Sequence, residues 1–313
     1  MHHKKYRWVF CGFLVLLALL IPSGIWAHPE EPADRQGLGK GYNHGPIWKI
    51  ESETNTVYLL GSIHVLRPDY YPLARAFWYA YYDSHNIVFE VDGKVLYSGT
   101  PPKKLQQKAR LPQGKTLKTV LSRKTYKLLK SRSKTIGIDI KRFHRYKPWV
   151  LAQVVRDLRM LKKGYSGIHG VDYHFYQKAR LAGKHISGLE TIDDQLKLFS
   201  KYSLKNQEKM LLQVLKEPKQ MNREFTRLVN YWHKGNVEGL GEILEELQAQ
   251  PLAYKALIYD RNMNWLPQIE AFLTKDENYL VIVGAGHLVG EDGLVELLRQ
   301  KGHEVEKMTY ALP

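Results

Sequence analysis

The sequence predicts an α/β (α+β) protein whose central mixed β-sheet is built from N- and C-terminal segments around a large helical middle region. Short apolar, β-branched runs near both ends have the composition of buried strands. Residues 117–277 repeat apolar side chains with helical periodicity, and one strand-like run interrupts them. With 313 residues, 44% of them hydrophobic, the chain can bury a substantial core. One domain, or one domain with a helical insertion, is therefore expected.

The first 27 residues have the three parts of a secretory signal peptide: a basic head, an apolar run and a small-residue exit. Cleavage is predicted between Ala27 and His28. Residues 28–45 are interpreted as a polar linker, and residues 46–313 as the folded domain. An uncleaved anchor is the alternative, because the apolar run is close to membrane-spanning length. We therefore expect an exported chain, periplasmic or secreted, or one held by this N-terminal helix.

Each strand is predicted from a short apolar run. The predicted strands lie at residues 47–50, 56–60, 86–92, 185–190, 278–283 and 303–308. A turn-prone pentad separates the first two, which predicts a hairpin. The run at 278–283 has the strongest buried-strand composition. Helices are predicted at residues 72–83 and 290–300 as well as in the middle region.

The net charge of +16 falls to +13 when the signal segment, with Lys4, Lys5, Arg7 and no acid, is removed. A basic surface suits association with an anionic membrane surface. Nucleic acid is not an expected partner, because zinc-finger spacing, RNP sequences and basic-region heptads are absent from the sequence. The single cysteine, Cys11, lies in the signal segment. The mature chain therefore has no thiol for catalysis, zinc binding or a disulfide.

Several familiar motifs are rejected. Residues 109–116 match a relaxed Walker A pattern, but a polar helix-like segment precedes them where a phosphate loop needs a strand. Residues 103–115 are therefore expected at the surface, without nucleotide. Gly284, Gly286 and Gly290 lie too near the C-terminus to open a dinucleotide-binding βαβ unit. The sequence contains neither Gly-x-Ser-x-Gly nor His-Glu-x-x-His, the signatures of common serine hydrolases and zincins.

Three apolar strands each end in side chains that can bind a metal or transfer a proton. These are His64 after the second strand, Glu90 and Asp92 at the third, and His287 after the strand at 278–283. Ligands of open α/β sheets bind beyond the carboxyl ends of parallel strands. If these strands are parallel neighbours, the four side chains converge in one site.

Glycines beside these strand ends agree with such a site. Gly61, Gly284 and Gly286 let the backbone turn sharply and approach a substrate closely. The structural alternative is that each histidine is a hydrogen-bonded core residue and each carboxylate caps a helix. The residues by themselves leave both interpretations open.

An ordered set of motifs, spread over residues 47–308, resembles the TraB/PrgY/GumN family. The motifs are Gly61-Ser62-Ile63-His64, Phe89-Glu90-Val91-Asp92, Gly170-Val171-Asp172, Gly188-Leu189-Glu190-Thr191, Arg261-Asn262 and Val283-Gly284-Ala285-Gly286-His287. This family includes the TIKI proteins, membrane-tethered proteases that need a divalent metal such as manganese or cobalt. In fold it is related to the erythromycin esterase and ChaN-like group.

The resemblance implies an exported, metal-dependent hydrolase of the peptidase type that acts on a peptide or protein substrate. Its implied metal ligands are His64, Glu90 and His287, and imidazole and carboxylate suit manganese, cobalt or zinc. Glu90 or Glu190 is the candidate general base, and Arg261 the candidate oxyanion-stabilising group. Asp172 and Asn262, in two further motifs, are expected at the same site.

Two other functions stay open from the sequence. One is a metal-free, esterase-like hydrolase in which His64 is the general base. The other is a non-catalytic envelope protein that binds a peptide, or haem through its histidines. Neither the natural substrate nor the oligomeric state follows from the sequence.

Overall fold

The computed structural model describes residues 44–96, 103–200 and 202–309. The predicted signal peptide, its cleavage site and residues 28–43 of the predicted linker lie outside these ranges. Among the helices of the described ranges, none has the length and apolar character needed to cross a membrane.

One mixed six-stranded sheet organises the described chain. Its strands are β1 (Ile47–Glu51), β2 (Thr56–Ser62), β3 (Asn86–Val91), β4 (His185–Glu190), β5 (Tyr279–Gly284) and β6 (Val305–Lys307). The spatial order is β4-β3-β5-β2-β1-β6. Strands β4, β3, β5 and β2 are parallel, whereas β1 pairs antiparallel with both β2 and β6. The predicted α/β class, with a mixed sheet built from both ends of the chain, is confirmed.

Strand β5 lies between two strands from the N-terminal part of the chain. Val283 of β5 is opposite Gly61 of β2, and Ile282 is opposite Phe89 of β3. Every residue of β3 is buried, as are nearly all residues of β2 and β5. Both faces of the sheet are therefore covered here, which is why these strands are continuous apolar runs in the sequence.

Helices fill the chain between and after the strands. They are α1 (Arg75–Asp83), α2 (Gly93–Leu96), α3 (Lys103–Ala109), α4 (Leu117–Val120), α5 (Arg123–Ile136), α6 (Ile140–Phe143), α7 (Pro148–Leu161), α8 (Val171–Leu181), α9 (Ile192–Ser200), α10 (Leu204–Lys216), α11 (Pro218–His233), α12 (Val237–Gln248), α13 (Pro251–Tyr254), α14 (Asp260–Phe272) and α15 (Leu294–Gln300). Strand β4 interrupts the helical middle region as predicted. A π-helical turn, Lys255–Tyr259, joins α13 to α14.

The helical region is attached to the sheet by buried side chains. Trp232 at the end of α11 donates a hydrogen bond from Nε1 to the backbone oxygen of Gly61 at 2.7 Å. Within the helical region, Trp149 of α7 stacks on Phe199 of α9 with ring centroids 4.9 Å apart. The hydrogen bond of Trp232 holds the end of α11 close to the end of β2, where His64 follows.

Several boundaries differ from the prediction, most of them by one or two residues. The first helix begins at Arg75 rather than at residue 72, and β6 spans only Val305–Lys307. Helix α15 begins at Leu294. The segment 109–116 follows α3 and not a strand, as expected, although it is not wholly at the surface because Ala109 and Leu111 are buried.

Candidate active site

Four parallel strands bring their carboxyl ends to one edge of the sheet. His64 follows β2, Glu90 lies in β3, Glu190 ends β4, and His287 lies in the 3-10 turn after β5. Helices α8 and α14 add side chains at the same edge. We call the assembled group the strand-end cluster, and it consists of His64, Glu90, Asp172, Glu190, Arg261, Asn262 and His287. All of these side chains are buried or nearly buried.

The two ring nitrogens of His64 have different surroundings. Nδ1 lies 3.0 Å from Oδ1 of Asp172, so it carries the proton that the carboxylate accepts. Nε2 is buried without a hydrogen-bond partner in the described chain, 3.9 Å from Oε1 of Glu90. Burial lowers the pKa of His64, but the charges of Asp172 and Glu90 outweigh it and raise the pKa to about 9. Without a bound cation, His64 therefore holds a second proton between two carboxylates.

His287 is oriented by the side-chain amide of Asn262. The amide nitrogen donates to the backbone oxygens of His287 at 3.1 Å and Asp292 at 2.7 Å, which leaves its oxygen to accept from His287 Nδ1 at 2.7 Å. The Nε2 lone pair then accepts from Arg261 Nη1 at 2.8 Å. Burial and the charge of Arg261 lower the pKa of His287 to about 3. This imidazole is therefore neutral at neutral pH.

Glu90 lies at the centre of the strand-end cluster. Its Oε2 accepts from Arg261 Nη2 at 2.5 Å, and its Oε1 accepts from the backbone N–H of Gly284 at 2.8 Å. Burial raises the pKa of Glu90, but the charges of Arg261, His287 and His64 outweigh it and lower the pKa to about 2. The carboxylate is therefore ionised over the whole ordinary pH range.

Arg261 also pairs with Glu190. Its Nε lies 3.1 Å from Oε2 of Glu190 and its Nη2 lies 2.7 Å from Oε1. Burial raises the pKa of Glu190 despite this pairing. The cluster thus contains three carboxyl groups, those of Glu90, Asp172 and Glu190, and one permanent cation.

Gly284 leaves space at the centre of the cluster. A Cβ at this position would lie 3.2 Å from Oε1 of Glu90, 3.5 Å from Nε2 of His64 and 3.7 Å from Cδ2 of His287. At Gly61, a Cβ would lie 2.8 Å from Pro46 Cγ, so β2 approaches its neighbours closely there. Gly286 differs, because its Cβ would meet only Ile258 at 3.8 Å. Close approach therefore requires glycine at position 61, leaves a Cβ at position 284 tight against Glu90, and sets no such limit at position 286.

Asp92 does not join the cluster. Its Oδ1 accepts the backbone N–H of Lys94 at 2.8 Å, at the start of α2. The expected convergence of Asp92 with His64, Glu90 and His287 is therefore not found. The carboxylate instead caps helix α2, which is the role that the alternative interpretation of the sequence gave it.

The TraB/PrgY/gumN family model matches residues 46–307. The chain belongs to this family. The uncharacterized protein YbaP of Escherichia coli (strain K12) is 26% identical over 242 residues, which cover 77% of this chain and 87% of YbaP. Metalloprotease TIKI2 of Xenopus tropicalis is 24% identical over 319 residues, covering 83% of this chain and 59% of TIKI2. Metalloprotease TIKI2 of Danio rerio is 24% identical over 308 residues, covering 80% of this chain and 58% of that relative. No solved structure matches.

Two side chains of this TraB/PrgY/gumN chain contact the cluster without having been predicted. Trp265 lies under Arg261, with the guanidinium 4.4 Å from its ring centroid, and its ring is 4.6 Å from that of His287. Nε2 of Gln195, in α9, donates a hydrogen bond to Oε2 of Glu90 at 3.4 Å. Trp265 follows Arg261 by four residues and so shares its helix face, a spacing visible in the sequence. Gln195 has no such signal.

The family resemblance implies a metal, and the cluster can be tested for its fit. In the described ranges, no three His, Cys, Asp or Glu side chains already have the arrangement of a metal site. The ligand atoms nevertheless fit, because imidazole nitrogen and carboxylate oxygen both bind manganese, cobalt and zinc. Their spacing fits as well, since Nε2 of His64 and Nε2 of His287 each lie 3.9 Å from Oε1 of Glu90. The charge also fits, since the carboxylates outnumber the guanidinium. One rearrangement is needed: His287 must release Arg261 before its Nε2 lone pair can bind a metal.

Proposed function

We propose that this chain is a metal-dependent hydrolase that cleaves peptide bonds. The observation that carries the proposal is the buried Nε2 of His64, which faces Glu90 across the space beside Gly284 and has no hydrogen-bond partner in the described chain. A buried polar atom left without a partner is unfavourable unless a ligand satisfies it. Similarity to the TIKI2 metalloproteases supports a protease link at the level of the family.

In this proposal, His64 Nε2, Glu90 Oε1 and, once Arg261 has moved, His287 Nε2 hold the metal. When bound there, a divalent metal supplies a water of lowered pKa and polarises the scissile carbonyl. Asp172 and Asn262 each hold an Nδ1–H, which directs the two Nε2 atoms towards Glu90. The metal type, among manganese, cobalt and zinc, is open.

Glu190 is the better general base of the two candidates. Glu90 has a pKa of about 2 and accepts protons poorly, whereas burial raises the pKa of Glu190 towards the range of an effective base. Arg261 joins both carboxylates in the ion-free protein. Once it has released His287, its guanidinium is the candidate group to stabilise negative charge that develops on the carbonyl oxygen.

The two alternatives from the sequence are less consistent with this geometry. A general base must be unprotonated, yet without a cation His64 has a pKa of about 9. For haem, the space beside Gly284 is bounded by atoms 3.2 to 3.7 Å from a Cβ placed there. The 3.9 Å between His64 Nε2 and Glu90 Oε1 fits a single ion with bonds of about 2 Å to each, and leaves no room for a porphyrin between them.

The test is hydrolysis of a peptide library by chelator-treated protein, before and after Mn²⁺, Co²⁺ or Zn²⁺ is added, with metal content measured on the same samples. We expect chelation to abolish cleavage and one of the metals to restore it. His64→Ala should lose both the bound metal and the cleavage. Asp92→Ala is the matched control, because Asp92 lies outside the cluster and should keep both. Undiminished cleavage by protein shown to be free of metal would contradict the proposal.

A further inference from the structure

A concave surface with a volume of about 750 Å³ is lined by parts of residues 67–70, 160–165 and 222–236. We call it the basic groove. Its size is that of a typical binding pocket, for which volumes of roughly 300–1,000 Å³ are usual. None of the residues used in the proposed hydrolysis lines it.

The groove is strongly positive. Its lining contains five cationic side chains and no Asp or Glu. Two of the five are already paired, Arg67 with Asp69 and Arg227 with Glu246. Lys163, Arg223 and Lys234 are exposed and form no ion pair within the described ranges. Three positive charges are therefore available to a ligand.

Aromatic rings pack against one another and against Arg67 in the walls of the groove. The guanidinium carbon of Arg67 lies 5.4 Å from the ring centroid of Tyr70 and 5.2 Å from that of Tyr165. Tyr165 packs edge to face on Phe225 at 4.9 Å. Such preformed walls distinguish this site from the many isolated lysines of a basic protein, since ordering a ligand there requires little reorganisation.

The groove also has unused hydrogen-bonding capacity. Oδ1 of Asn222 and Nε of Arg227 are buried in its wall without a hydrogen-bond partner in the described chain. A small rotation of either side chain towards the groove would let a ligand with both donor and acceptor groups, such as a peptide backbone, satisfy this pair.

The chain connects the groove directly to the cluster. Arg67 is three residues after His64, which places their Cα atoms within about 11 Å. Leu66 and Ser166 exchange backbone hydrogen bonds of 3.2 and 2.8 Å, next to Tyr165. An extended peptide covers about 3.3 Å per residue, so three or four residues of a peptide have the length of the separation between His64 and Arg67.

We propose that the basic groove binds a carboxylate-bearing segment of the substrate, so that the enzyme selects peptides with Asp or Glu a few residues from the cleaved bond. This inference rests on the proposed hydrolase function. The concave shape favours a peptide segment over a flat anionic bilayer, because a bilayer surface cannot enter the groove.

The experiment measures binding without hydrolysis. Two fluorescent peptides of equal length are compared by anisotropy on chelator-treated full-length protein, one with Asp and Glu and the other with Asn and Gln at the same positions. We expect the acidic peptide to bind more tightly and its affinity to fall with added salt. Lys163→Gln with Arg223→Gln should weaken that binding by about tenfold or more, since each removes a charge-assisted contact.

The matched control is Lys124→Gln with Lys127→Gln, two exposed positions of α5 that do not line the groove. It lowers the net charge equally and should leave binding unchanged. Equal affinity for the two peptides, or equal loss in the control, would reject the inference. So would protein that binds phosphatidylglycerol vesicles through Lys163 and Arg223 but shows no preference for the acidic peptide.

The same peptides separate this inference from the proposed function. Metal-loaded protein that binds the acidic peptide selectively but cleaves nothing rejects the hydrolase and keeps the groove. Cleavage that is indifferent to nearby acids rejects the groove and keeps the hydrolase.

Discussion

In the proposed function, a metal ion competes with a proton for Nε2 of His64. Asp172 and Glu90 raise the pKa of the imidazole to about 9, so Nε2 is protonated in the ion-free protein at neutral pH. A cation that binds there must displace this proton, because a metal-bound imidazole nitrogen carries none. The same negative charge that holds the proton would also attract a metal ion. Asp172 therefore affects both the pKa of His64 and the proposed metal affinity.

The first prediction concerns Asp172. Asp172→Asn keeps an acceptor for His64 Nδ1 but removes the charge, so we expect metal affinity to fall by about 10- to 100-fold. Competition titration against a chromogenic chelator measures this. Asp92→Asn, which removes a carboxylate outside the cluster, should leave the affinity as it is. Equal affinities for wild type and Asp172→Asn would show that Asp172 does not support metal binding.

The second prediction is a pH dependence carried by Glu90. Its pKa falls from the usual 4.5 to about 2 on folding, so the folded state binds this proton less tightly than the unfolded state. The resulting stabilisation is complete above pH 4.5 and is lost as the pH falls through about 2. In urea titrations of metal-free protein, Glu90→Gln should therefore lose less stability than wild type over this interval. Identical losses would contradict the depressed pKa.

The site residues differ in how far the sequence could predict them. His64, Glu90 and His287 follow from strand ends, because parallel strands bring their carboxyl ends together. Glu190, Asp172, Arg261 and Asn262 required the family resemblance. Asp92 fits the alternation of β3, two residues after Glu90, but the chain turns into α2 there and the carboxylate caps that helix. Gln195 depends on how α9 packs, which no local pattern indicates.

At the scale of elements, the sequence predicted which segments form strands better than it predicted the residues at which helices begin. Strands β2, β3 and β5 are buried on both faces, which leaves a continuous apolar run in the sequence. Helix α15 has no side-chain N-cap hydrogen bond at Gly293, so no polar residue marks its start. The basic groove could not be predicted, because three separate segments meet in it.

The turn after β5 gives the third prediction. In Gly284→Ala the new Cβ lies 3.2 Å from Glu90 Oε1 and 3.5 Å from His64 Nε2, so it displaces two of the proposed metal ligands. We expect peptide cleavage to fall by about 100-fold, the usual effect of a small misplacement at a catalytic centre. Gly286→Ala is the control in the same turn, because its Cβ has only one ordinary contact at 3.8 Å. Equal activities of the two variants would show that the space at Gly284 is not part of the site.

At the scale of the whole molecule, the cluster exists only when both ends of the chain are folded together. His64 and Glu90 come from β2 and β3, and His287 follows β5, which inserts between those two strands. The unfolded chain therefore has no preformed set of these donors. Any cation that binds the cluster must stabilise the complete sheet, because binding to the folded state alone shifts the folding equilibrium.

The last prediction follows from this coupling. At a free metal concentration about 100 times the dissociation constant, binding adds about 2.7 kcal/mol to the free energy of unfolding. For a domain of this size the Tm should rise by about 5 °C or more, as scanning calorimetry with and without Mn²⁺, Co²⁺ or Zn²⁺ would measure. Because the metal displaces the His64 proton, the rise should grow as the pH increases from 6 to 8. His64→Asn should abolish it, whereas Asp92→Asn should keep it. A Tm that none of these metals raises would place the metal-binding role outside this cluster.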